Sequence, residues 1–184
     1  MSKIYLIRHG KTEANEKRLY CGSTDLPLSE KGREELAELS YDIETENTLF
    51  VTSGMKRTEE TFQLLFGDIP HTTDDRFREI NFGIFEMKTY EELKDKPEYQ
   101  QWLSDDNNKK QIPNGESGQQ MEKRVLEAFK DIIAMNKDVV VVTHGGVIAA
   151  IMGHCFKEEN KNIYQWQPQN GHGYILADNK YFVI

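Results

Sequence analysis

The sequence predicts an α/β protein in which helices cover both faces of a mostly parallel central sheet, a three-layer α/β/α arrangement. Short apolar runs alternate with segments of helical periodicity along the chain, which is the order that βαβ units produce. Two of these runs, at residues 4–7 and 139–142, are each followed by a His-Gly pair and then by a helix start. The length of 184 residues is typical of one domain, so residues 1–184 are predicted to fold as a single unit.

Capping residues and apolar stripes predict two of the helices. Ser29 is a candidate N-cap, and Leu36, Leu39 and Ile43 follow it at helical spacing. Ser117 is a candidate N-cap for a long helix near the second His-Gly pair. The apolar residues predicted to face inward from that long helix are Met121, Val125, Ala128, Phe129 and Ile132.

The remaining elements are predicted from apolar runs and turn residues. Residues 49–52 are typical of a short buried strand, and residues 56–66 are typical of the helix that follows it. Residues 174–177 and 181–184 are strand-like and flank an Asp-Asn turn. Residues 105–118 are polar and contain a proline and two glycines, so they are predicted to form a loop.

Composition and charge argue against several classes of protein. The formal net charge of −8 argues against nucleic acid as a partner, because phosphate backbones require clustered cations. No apolar stretch approaches the ~20 residues that a membrane span needs, so no membrane partner is expected. Cys21 and Cys155 are too few for a disulfide framework, and the early first strand leaves no room for a signal peptide. The protein is therefore expected to be cytoplasmic.

The two His-Gly pairs mark the expected functional site. Ligands of parallel sheets bind beyond the carboxyl ends of the strands, where helix N-termini favour anions. His9 and His144 stand at two such strand ends, and Arg8 places a permanent cation beside the first imidazole. A cation beside an imidazole is what phosphoryl chemistry on a histidine requires. The pattern therefore predicts an enzyme with an anion-binding site that contains both histidines.

Five segments of the chain, in order, carry a recognisable pattern. They are Arg8-His9-Gly10 with Thr12 and Asn15, the loop at residues 20–29, the Ser-x-x-x-Arg-x-x-x-Thr segment from Ser53 to Thr61, residues 78–86, and Gly115-Glu116-Ser117 with residues 142–146. Together they resemble the histidine phosphatase superfamily, in the branch that contains the cofactor-dependent phosphoglycerate mutases. The resemblance extends over almost the whole chain and implies a phosphoglycerate mutase-like fold.

The resemblance and the chemistry of the side chains imply a role for each main site residue. His9 is expected to be the nucleophile, which attacks phosphorus as a neutral imidazole and forms a phosphohistidine. Arg8 and Arg57 are expected to clamp the phosphoryl oxygens. His144 is expected to donate to the same group, in its protonated form beside the phosphoryl dianion. Glu79 is expected to protonate the leaving alkoxide and then to accept a proton from the attacking water.

Several further residues are assigned more loosely. Glu86 is the competing choice for the general acid, whereas Glu116 is expected to have a structural or peripheral role. His172 either borders the pocket or is an ordinary loop histidine. Asn15 either donates to the phosphate or caps the first helix. The residues expected to contact the substrate are Asn15, Cys21, Gly22 and Gly145.

No metal and no cofactor are expected, because the five histidines lack metal-ligand spacing and no cysteine pair joins them. The sequence predicts a metal-independent phosphatase that acts on a small phosphorylated metabolite. A phosphatase is favoured over a mutase because only 35 residues separate Glu79 from Gly115, where the family's mutases carry an insertion. A mutase must keep water away from its phosphoenzyme, and a shorter cover admits water.

Three alternatives stay open. The first is a phosphatase specific for alpha-ribazole phosphate, an intermediate of cobalamin synthesis, because the loop at residues 20–29 and the compact length resemble those enzymes. The second is a cofactor-dependent phosphoglycerate mutase. The third is a non-catalytic member that binds a phosphorylated ligand or a protein partner. The oligomeric state is also open, with a homodimer as one option.

Overall fold

The computed structural model describes residues 2–105 and 108–184 of the chain, and within them the strands form a central sheet. In chain order the strands are β1 (Ile4–Arg8), β2 (Thr48–Thr52), β3 (Thr72–Thr73), β4 (Asp138–Thr143), β5 (Gly173–Ala177) and β6 (Lys180–Val183). They are ordered β3-β2-β4-β1-β5-β6 across the sheet. The pairs from β3 to β1 are parallel, whereas β5 and β6 are antiparallel to their neighbours. The prediction of a mostly parallel sheet is thereby confirmed.

The α-helices lie between and after the parallel strands. They are α1 (Glu13–Glu16), α2 (Glu30–Ala37), α3 (Lys56–Phe66), α4 (Tyr90–Leu93), α5 (Pro97–Leu103), α6 (Gly118–Ala134), α7 (Gly145–Cys155) and α8 (Ile163–Trp166). Short 3-10 segments occupy Asp75–Phe77, Gly83–Phe85 and Lys157–Glu159. Among the helices of the described residues, none combines the length and the apolar character needed to cross a membrane.

Both faces of the sheet are covered by helices. Alternate residues of β1 point to opposite faces, as the pleat of a strand requires. Ile4 and Leu6 belong to an apolar cluster that includes buried residues of α6 and α7. Tyr5 and Ile7 belong to a second cluster, which contains Phe62 of α3, and α2 packs against α3. The result is the three-layer α/β/α arrangement that the sequence predicts.

The register of the two central strands brings the His-Gly pairs together. β1 and β4 are adjacent and parallel, and Arg8 pairs with Thr143 at their carboxyl ends. The next residues are therefore neighbours, and the backbone N–H of His9 donates to the carbonyl of Thr143 at 2.9 Å. His144 follows Thr143 directly and is the N-cap of α7. This edge of the sheet positions the site.

Two of the helix predictions differ in outcome. The five apolar residues predicted to face inward from α6 are all buried, and the Ser117 hydroxyl caps the helix by accepting from Gln120. By contrast, α2 ends at Ala37, so the predicted helical stripe through Leu39 and Ile43 is wrong. Both side chains are partly buried from non-helical backbone, and Ile43 packs on the second cluster. Tertiary contacts rather than helical periodicity fix this segment.

The predicted loop at residues 105–118 includes residues 106 and 107, which lie outside the described residues. The described part of that loop has no helix or strand before α6 begins at Gly118. Its residue Glu116 is tied to the segment around Glu79, since the N–H of Glu116 donates to the carbonyl of Asn81 at 2.9 Å. The end of the loop is therefore anchored beside the site.

Candidate active site

His9 is held as a neutral imidazole with a defined tautomer. It lies just beyond β1, and only 6% of its surface is exposed. Its Nδ1 is 2.6 Å from the carbonyl oxygen of Gly10, so Nδ1 carries the hydrogen and donates it. Burial, followed by the charges of Arg57 and Arg8, lowers the pKa of His9 well below 6.5. Nε2 is therefore left with a free electron pair, which is the form a nucleophile needs.

The second histidine lies against the first. The imidazole rings of His9 and His144 are 5.1 Å apart between centroids, and their planes are inclined at 63°. His144 is fully buried at the end of β4. The predicted pairing of the two strand-end histidines in one site is therefore present in the fold.

A directional chain of hydrogen bonds fixes His144. Arg57 Nε donates to Nδ1 of His144 at 3.2 Å, so Nδ1 is the acceptor. The opposite nitrogen, Nε2, carries the hydrogen and donates to Ser53 Oγ at 2.8 Å. Ser53 in turn donates to Thr58 Oγ1 at 3.0 Å, and Thr58 donates to the carbonyl of Met55 at 2.8 Å. Every member of the chain is satisfied only if His144 is neutral.

This geometry favours a neutral His144, and its protonation beside a phosphoryl dianion stays a prediction. Burial, followed by the charge of Arg57, lowers the pKa of His144 well below 6.5. His9 and Arg8 act in the same direction. A positive imidazole here would be desolvated and would face a guanidinium, so the neutral form is favoured. Any donation from His144 to a phosphoryl group requires a rearrangement of its bonds to Arg57 or Ser53.

Arg57 is nearly inaccessible and also holds a loop. It lies in the first turn of α3, and 1% of its surface is exposed. Besides its bond to His144, Nη1 donates to the carbonyl of Thr24 at 2.9 Å and Nη2 donates to that of Gly22 at 2.8 Å. Burial lowers the pKa of Arg57, although an arginine stays charged in proteins. Its guanidinium thus connects the two histidines to the loop formed by residues 21–24, here called loop 21–24.

Arg8 presents a donor without a partner. Its Nη1 donates to the carbonyl of Pro168 at 2.8 Å. Its Nε is buried and has no hydrogen-bond acceptor among the residues that the structure describes. Buried polar atoms are almost always satisfied, so this N–H is a candidate contact for a bound anion. Gly145 makes room for the group, because a Cβ there would lie 3.1 Å from Arg8 Cζ.

The side chain of Glu79 extends to the start of α7 from the segment that follows the 3-10 turn at Asp75–Phe77. Its Oε2 accepts from the backbone N–H of Gly146 at 2.9 Å, in the first turn of α7. Its Oε1 accepts from the N–H of Ile80 at 3.0 Å. A Cβ at Gly146 would overlap the Glu79 carboxylate, so the close approach depends on glycine. The Glu79 carboxylate thus binds Gly146, which follows His144 by two residues.

Glu86 has a different task from the one considered for it. Its carboxylate accepts from the backbone N–H groups of Gly22, Ser23, Thr24 and Phe82 at 2.9 to 3.2 Å, and from Thr24 Oγ1 at 2.7 Å. Burial opposes its ionisation, but these hydrogen bonds outweigh burial and lower the pKa of Glu86. The carboxylate is committed to ordering loop 21–24. A Cβ at Gly22 would overlap the carbonyl of Ile80, so the loop also needs glycine.

The remaining candidates are Asn15, Cys21 and His172. Asn15 Oδ1 accepts from the N–H and the hydroxyl of Thr12, both at 3.0 Å, so the side chain forms a capping box. Cys21 Sγ contacts the carbonyl of Thr24 at 3.5 Å, and burial raises the pKa of this thiol. His172 lines a cavity of about 700 Å³ to which Arg8 also contributes. The Oδ1 of Asn15 therefore serves the capping box with Thr12, and donation from Asn15 to a phosphate stays a prediction. His172 borders this cavity.

Three residues of this region were not singled out from the sequence. Ser53 belongs to the Ser-x-x-x-Arg-x-x-x-Thr segment, and that spacing was the only available signal for its contact with His144. Thr58 had no such signal, because a threonine in the first turn of a helix is common. Arg124 donates to the carbonyl of Glu79 at 3.0 Å from the middle of α6. Nothing local distinguishes it from other charged residues on a helix.

The described residues offer no evident metal centre. Among residues 2–105 and 108–184, no three histidine, cysteine, aspartate or glutamate side chains converge so as to hold a metal ion. The charge at the site is instead provided by two arginines, Arg8 and Arg57. They flank the neutral imidazole of His9, and Glu79 lies opposite at the start of α7. This set can bind a phosphoryl group and can supply a nucleophile and a proton donor.

Comparison with known proteins assigns this chain to a family. The family model described as histidine phosphatase superfamily (branch 1) matches residues 4–180. A curated relative named "Probable phosphoglycerate mutase GpmB", from Enterobacter sp. (strain 638), is 29% identical over 160 residues. That match covers 83% of this chain and 74% of the relative.

Solved structures share the fold. A phosphoserine phosphatase from Entamoeba histolytica, solved in complex with 3-phosphoglyceric acid, superposes with a TM-score of 0.82 at 26% identity, covering 100% of this chain and 95% of that one. The alpha-ribazole phosphatase from Shigella flexneri superposes with a TM-score of 0.83 at 24% identity, covering 99% and 94%. The names of these proteins include both phosphatases and a mutase. The chain belongs to the histidine phosphatase superfamily, branch 1.

Proposed function

We propose that the protein is a phosphomonoesterase that hydrolyses a small phosphorylated metabolite through a phosphohistidine on His9, with no metal and no cofactor. The observation that carries the proposal is the state of His9. Its Nδ1–H is committed to the carbonyl of Gly10, its pKa is lowered by burial and by two arginines, and its Nε2 therefore carries the lone pair. Arg8 adds a buried N–H, at Nε, that has no acceptor within residues 2–105 and 108–184.

In the first step, Nε2 of His9 attacks phosphorus and the bond between phosphorus and the ester oxygen breaks. The ester oxygen leaves as an alcohol after it takes a proton from the carboxyl group of Glu79. The phosphoryl oxygens carry the growing charge, and the guanidinium groups of Arg8 and Arg57 stabilise it. His144, which touches both His9 and Arg57, completes the wall of the phosphoryl site.

In the second step, a water molecule attacks the phosphohistidine from the side that the alcohol has left. The carboxylate of Glu79 accepts the proton of that water while the bond between Nε2 and phosphorus breaks. Inorganic phosphate leaves, His9 returns to its neutral form and Glu79 is again protonated. Each group therefore ends the cycle in the state in which it began, as a catalyst must.

Hydrolysis is favoured over transfer to a second hydroxyl group by the cover of the site. Between Glu79 and Gly115 the chain has 35 residues, and the α-helices described there are the short α4 and α5. A mutase has to exclude water while the phosphoenzyme waits for its second acceptor. This short segment leaves less chain to close over the site, which supports the phosphatase.

The experiment is a measurement of phosphate release from a panel of phosphomonoesters in a buffer that contains a chelator. The panel includes phosphoserine, alpha-ribazole phosphate, 3-phosphoglycerate, sugar phosphates and nucleotides. His9→Ala is the inactive variant, and His154→Ala is its matched control, because His154 is exposed at the far end of α7. Wild type and His154→Ala are expected to release phosphate, and His9→Ala to release none above the blank.

The intermediate is tested separately by mass spectrometry of the intact protein after a rapid quench in alkali, in which phosphohistidine survives. A phosphoryl group is expected on wild type and on His154→Ala, and its absence from His9→Ala locates it. Phosphate release that persists in His9→Ala, or that stops in chelator and returns with metal, would refute the proposed mechanism. Conversion of 3-phosphoglycerate to its isomer without phosphate release would favour the mutase.

A further inference from the structure

Arg124 binds the backbone that carries Glu79. Its Nη1 donates to the carbonyls of Arg76 at 2.8 Å and Arg78 at 2.7 Å, and its Nη2 donates to the carbonyl of Glu79 at 3.0 Å. The same guanidinium pairs with both carboxylate oxygens of Glu116 at 2.8 Å. All three nitrogens of Arg124 are thus used, on partners that lie in two other segments of the chain.

Glu116 binds the same backbone on the C-terminal side of Glu79. Its Oε2 accepts from the N–H of Asn81 at 3.0 Å, and its own N–H donates to the carbonyl of Asn81. The segment of residues 76–81, here called the acid segment, is therefore held before and after Glu79. The Arg124 side chain is 22% exposed and that of Glu116 is 25% exposed, so the pair is shielded from much of the solvent.

The position of the Glu79 carboxylate depends on this backbone. Its hydrogen bonds, among the described residues, come from the N–H groups of Ile80 and Gly146 and from no side chain. Ile80 is part of the acid segment, so only the bond from Gly146 anchors the carboxylate independently. A shift of the segment would carry Glu79 away from Gly146 and from the histidines. Misplacement by about 1 Å can reduce a rate on the order of a hundredfold.

We infer that Arg124, paired with Glu116, is a positioning residue that holds Glu79 in place for proton transfer in the reaction. The inference rests on the proposed function, in which Glu79 is the general acid and base. Arginine suits this task because its planar fork spans several acceptors at once, which the single ammonium of lysine does not do. Among the described residues Arg124 donates no hydrogen bond to His9, His144 or Arg8. Its charge also lowers the pKa of His144, and Arg124→Lys keeps that charge, so the lysine variant separates this effect from the grip on the backbone at Glu79.

The alternative is that Arg124 only stabilises the contact between α6 and the acid segment. Arg76 provides a matched control for it. Arg76 also joins the acid segment to α6, through Asp131 of that helix at 2.8 Å, and it pairs with Asp74. Its guanidinium donates to the carboxylates of Asp74 and Asp131 and to no described backbone carbonyl around Glu79. Arg76→Met therefore removes an arginine, a charge and a link to α6 without freeing Glu79, whereas Arg124→Met frees it.

The experiment compares kcat/KM for two substrates, which reports on the steps up to release of the alcohol. Phosphoserine needs a proton on its departing alkoxide, whereas the phenolate of dinitrophenyl phosphate leaves without one. Arg124→Met is expected to lower kcat/KM for phosphoserine by about 30-fold and for dinitrophenyl phosphate by no more than about twofold. Arg124→Lys is expected to recover only about threefold of the loss. Arg76→Met is expected to match wild type on both.

A double variant links the effect to Glu79. In a Glu79→Gln background, Arg124→Met is expected to cause no further loss with phosphoserine, because the group that it positions is gone. Equal losses on both substrates, additive losses in the double variant, or the same selective loss in Arg76→Met would overturn the inference. So would failure of both Arg124 variants to fold cooperatively in a denaturation experiment.

A readout without catalysis separates this inference from the proposed function. Hydrogen exchange at the amides of Ile80 and Gly146 is expected to be faster in Arg124→Met and unchanged in Arg76→Met. Unchanged exchange in Arg124→Met would overturn the inference. If wild type releases no phosphate from either substrate, the proposed function fails, and the exchange rates still decide whether Arg124 positions Glu79.

Discussion

Arg57 Nε donates a hydrogen bond to Nδ1 of His144 at 3.2 Å, and this contact decides the protonation state of the second histidine. An imidazole that accepts a hydrogen bond from a guanidinium has no proton on that nitrogen. Its other nitrogen donates to Ser53 at 2.8 Å, so the ring is both neutral and fixed in orientation. The two buried histidines of the site are therefore neutral for the same reason, since both are desolvated and both face arginines.

The first prediction concerns stability against pH. Unfolding returns His9 and His144 to an ordinary pKa near 6.5, whereas in the folded protein their pKa values lie well below it. Below pH 6.5 the unfolded chain therefore binds protons that the folded chain does not. The free energy of unfolding should fall as pH falls, by up to about 1.4 kcal/mol per pH unit for each histidine. Urea unfolding between about pH 7.5 and pH 5.5 measures this slope.

The slope should be smaller in His144→Gln, which removes one of the two groups. His154→Gln is the control, because His154 is exposed and its removal should leave the slope unchanged. A wild-type free energy of unfolding that rises on acidification through this range would contradict neutral, buried imidazoles. A slope that His144→Gln leaves unaltered would contradict the assignment to His144.

The second prediction concerns the hydroxyl of Ser53. In Ser53→Ala the N–H at Nε2 of His144 loses its acceptor in a fully buried environment. An unsatisfied buried polar group costs about 1–3 kcal/mol, so the free energy of unfolding should fall by that amount. Ser104→Ala, at the exposed end of α5, should change it by less than about 0.5 kcal/mol. Equal effects of the two substitutions in urea unfolding would refute the directional hydrogen-bond chain.

The third prediction compares two glycines. A Cβ at Gly22 would overlap the carbonyl of Ile80, so Gly22→Ala should displace loop 21–24, destabilise the protein and reduce phosphate release. Gly153 lies in α7 with nothing within 4 Å of the Cβ position. Gly153→Ala should therefore stabilise the protein by up to about 1 kcal/mol, since alanine favours helix. Thermal unfolding and phosphate release measure both, and a harmless Gly22→Ala would contradict the close packing of the loop.

The fourth prediction concerns the guanidinium group of Arg8. Arg8→Lys keeps a positive charge but loses the N–H at Nε that has no acceptor among the described residues. The variant should lower kcat/KM on the order of tenfold to a hundredfold, and it should bind orthovanadate, a mimic of the phosphoryl transition state, more weakly. Arg33→Lys, whose arginine pairs with Glu60 on the surface, is the control and should match wild type. Unaltered vanadate affinity in Arg8→Lys would separate Arg8 from the phosphoryl site.

Local patterns in the sequence carry much of the fold. Apolar periodicity and the Ser117 cap predict α6, because helix formation depends on neighbours three and four residues apart. The two strand-end His-Gly pairs predict a shared edge, because parallel strands align their carboxyl ends. The helical stripe through Leu39 and Ile43 fails, since those side chains pack from outside α2.

Local sequence patterns do not predict the contacts that set the protonation and position of the site residues. The sequence alone indicates two histidines, two arginines and a glutamate at one sheet edge. It does not indicate that Arg57 keeps His144 neutral, that Glu86 orders loop 21–24, or that Arg124 grips the backbone beside Glu79. These hydrogen bonds join residues 45 to 87 positions apart, and several end on backbone carbonyls or N–H groups, which every residue except proline possesses in full. Such partners leave no local pattern, so only the folded arrangement selects them.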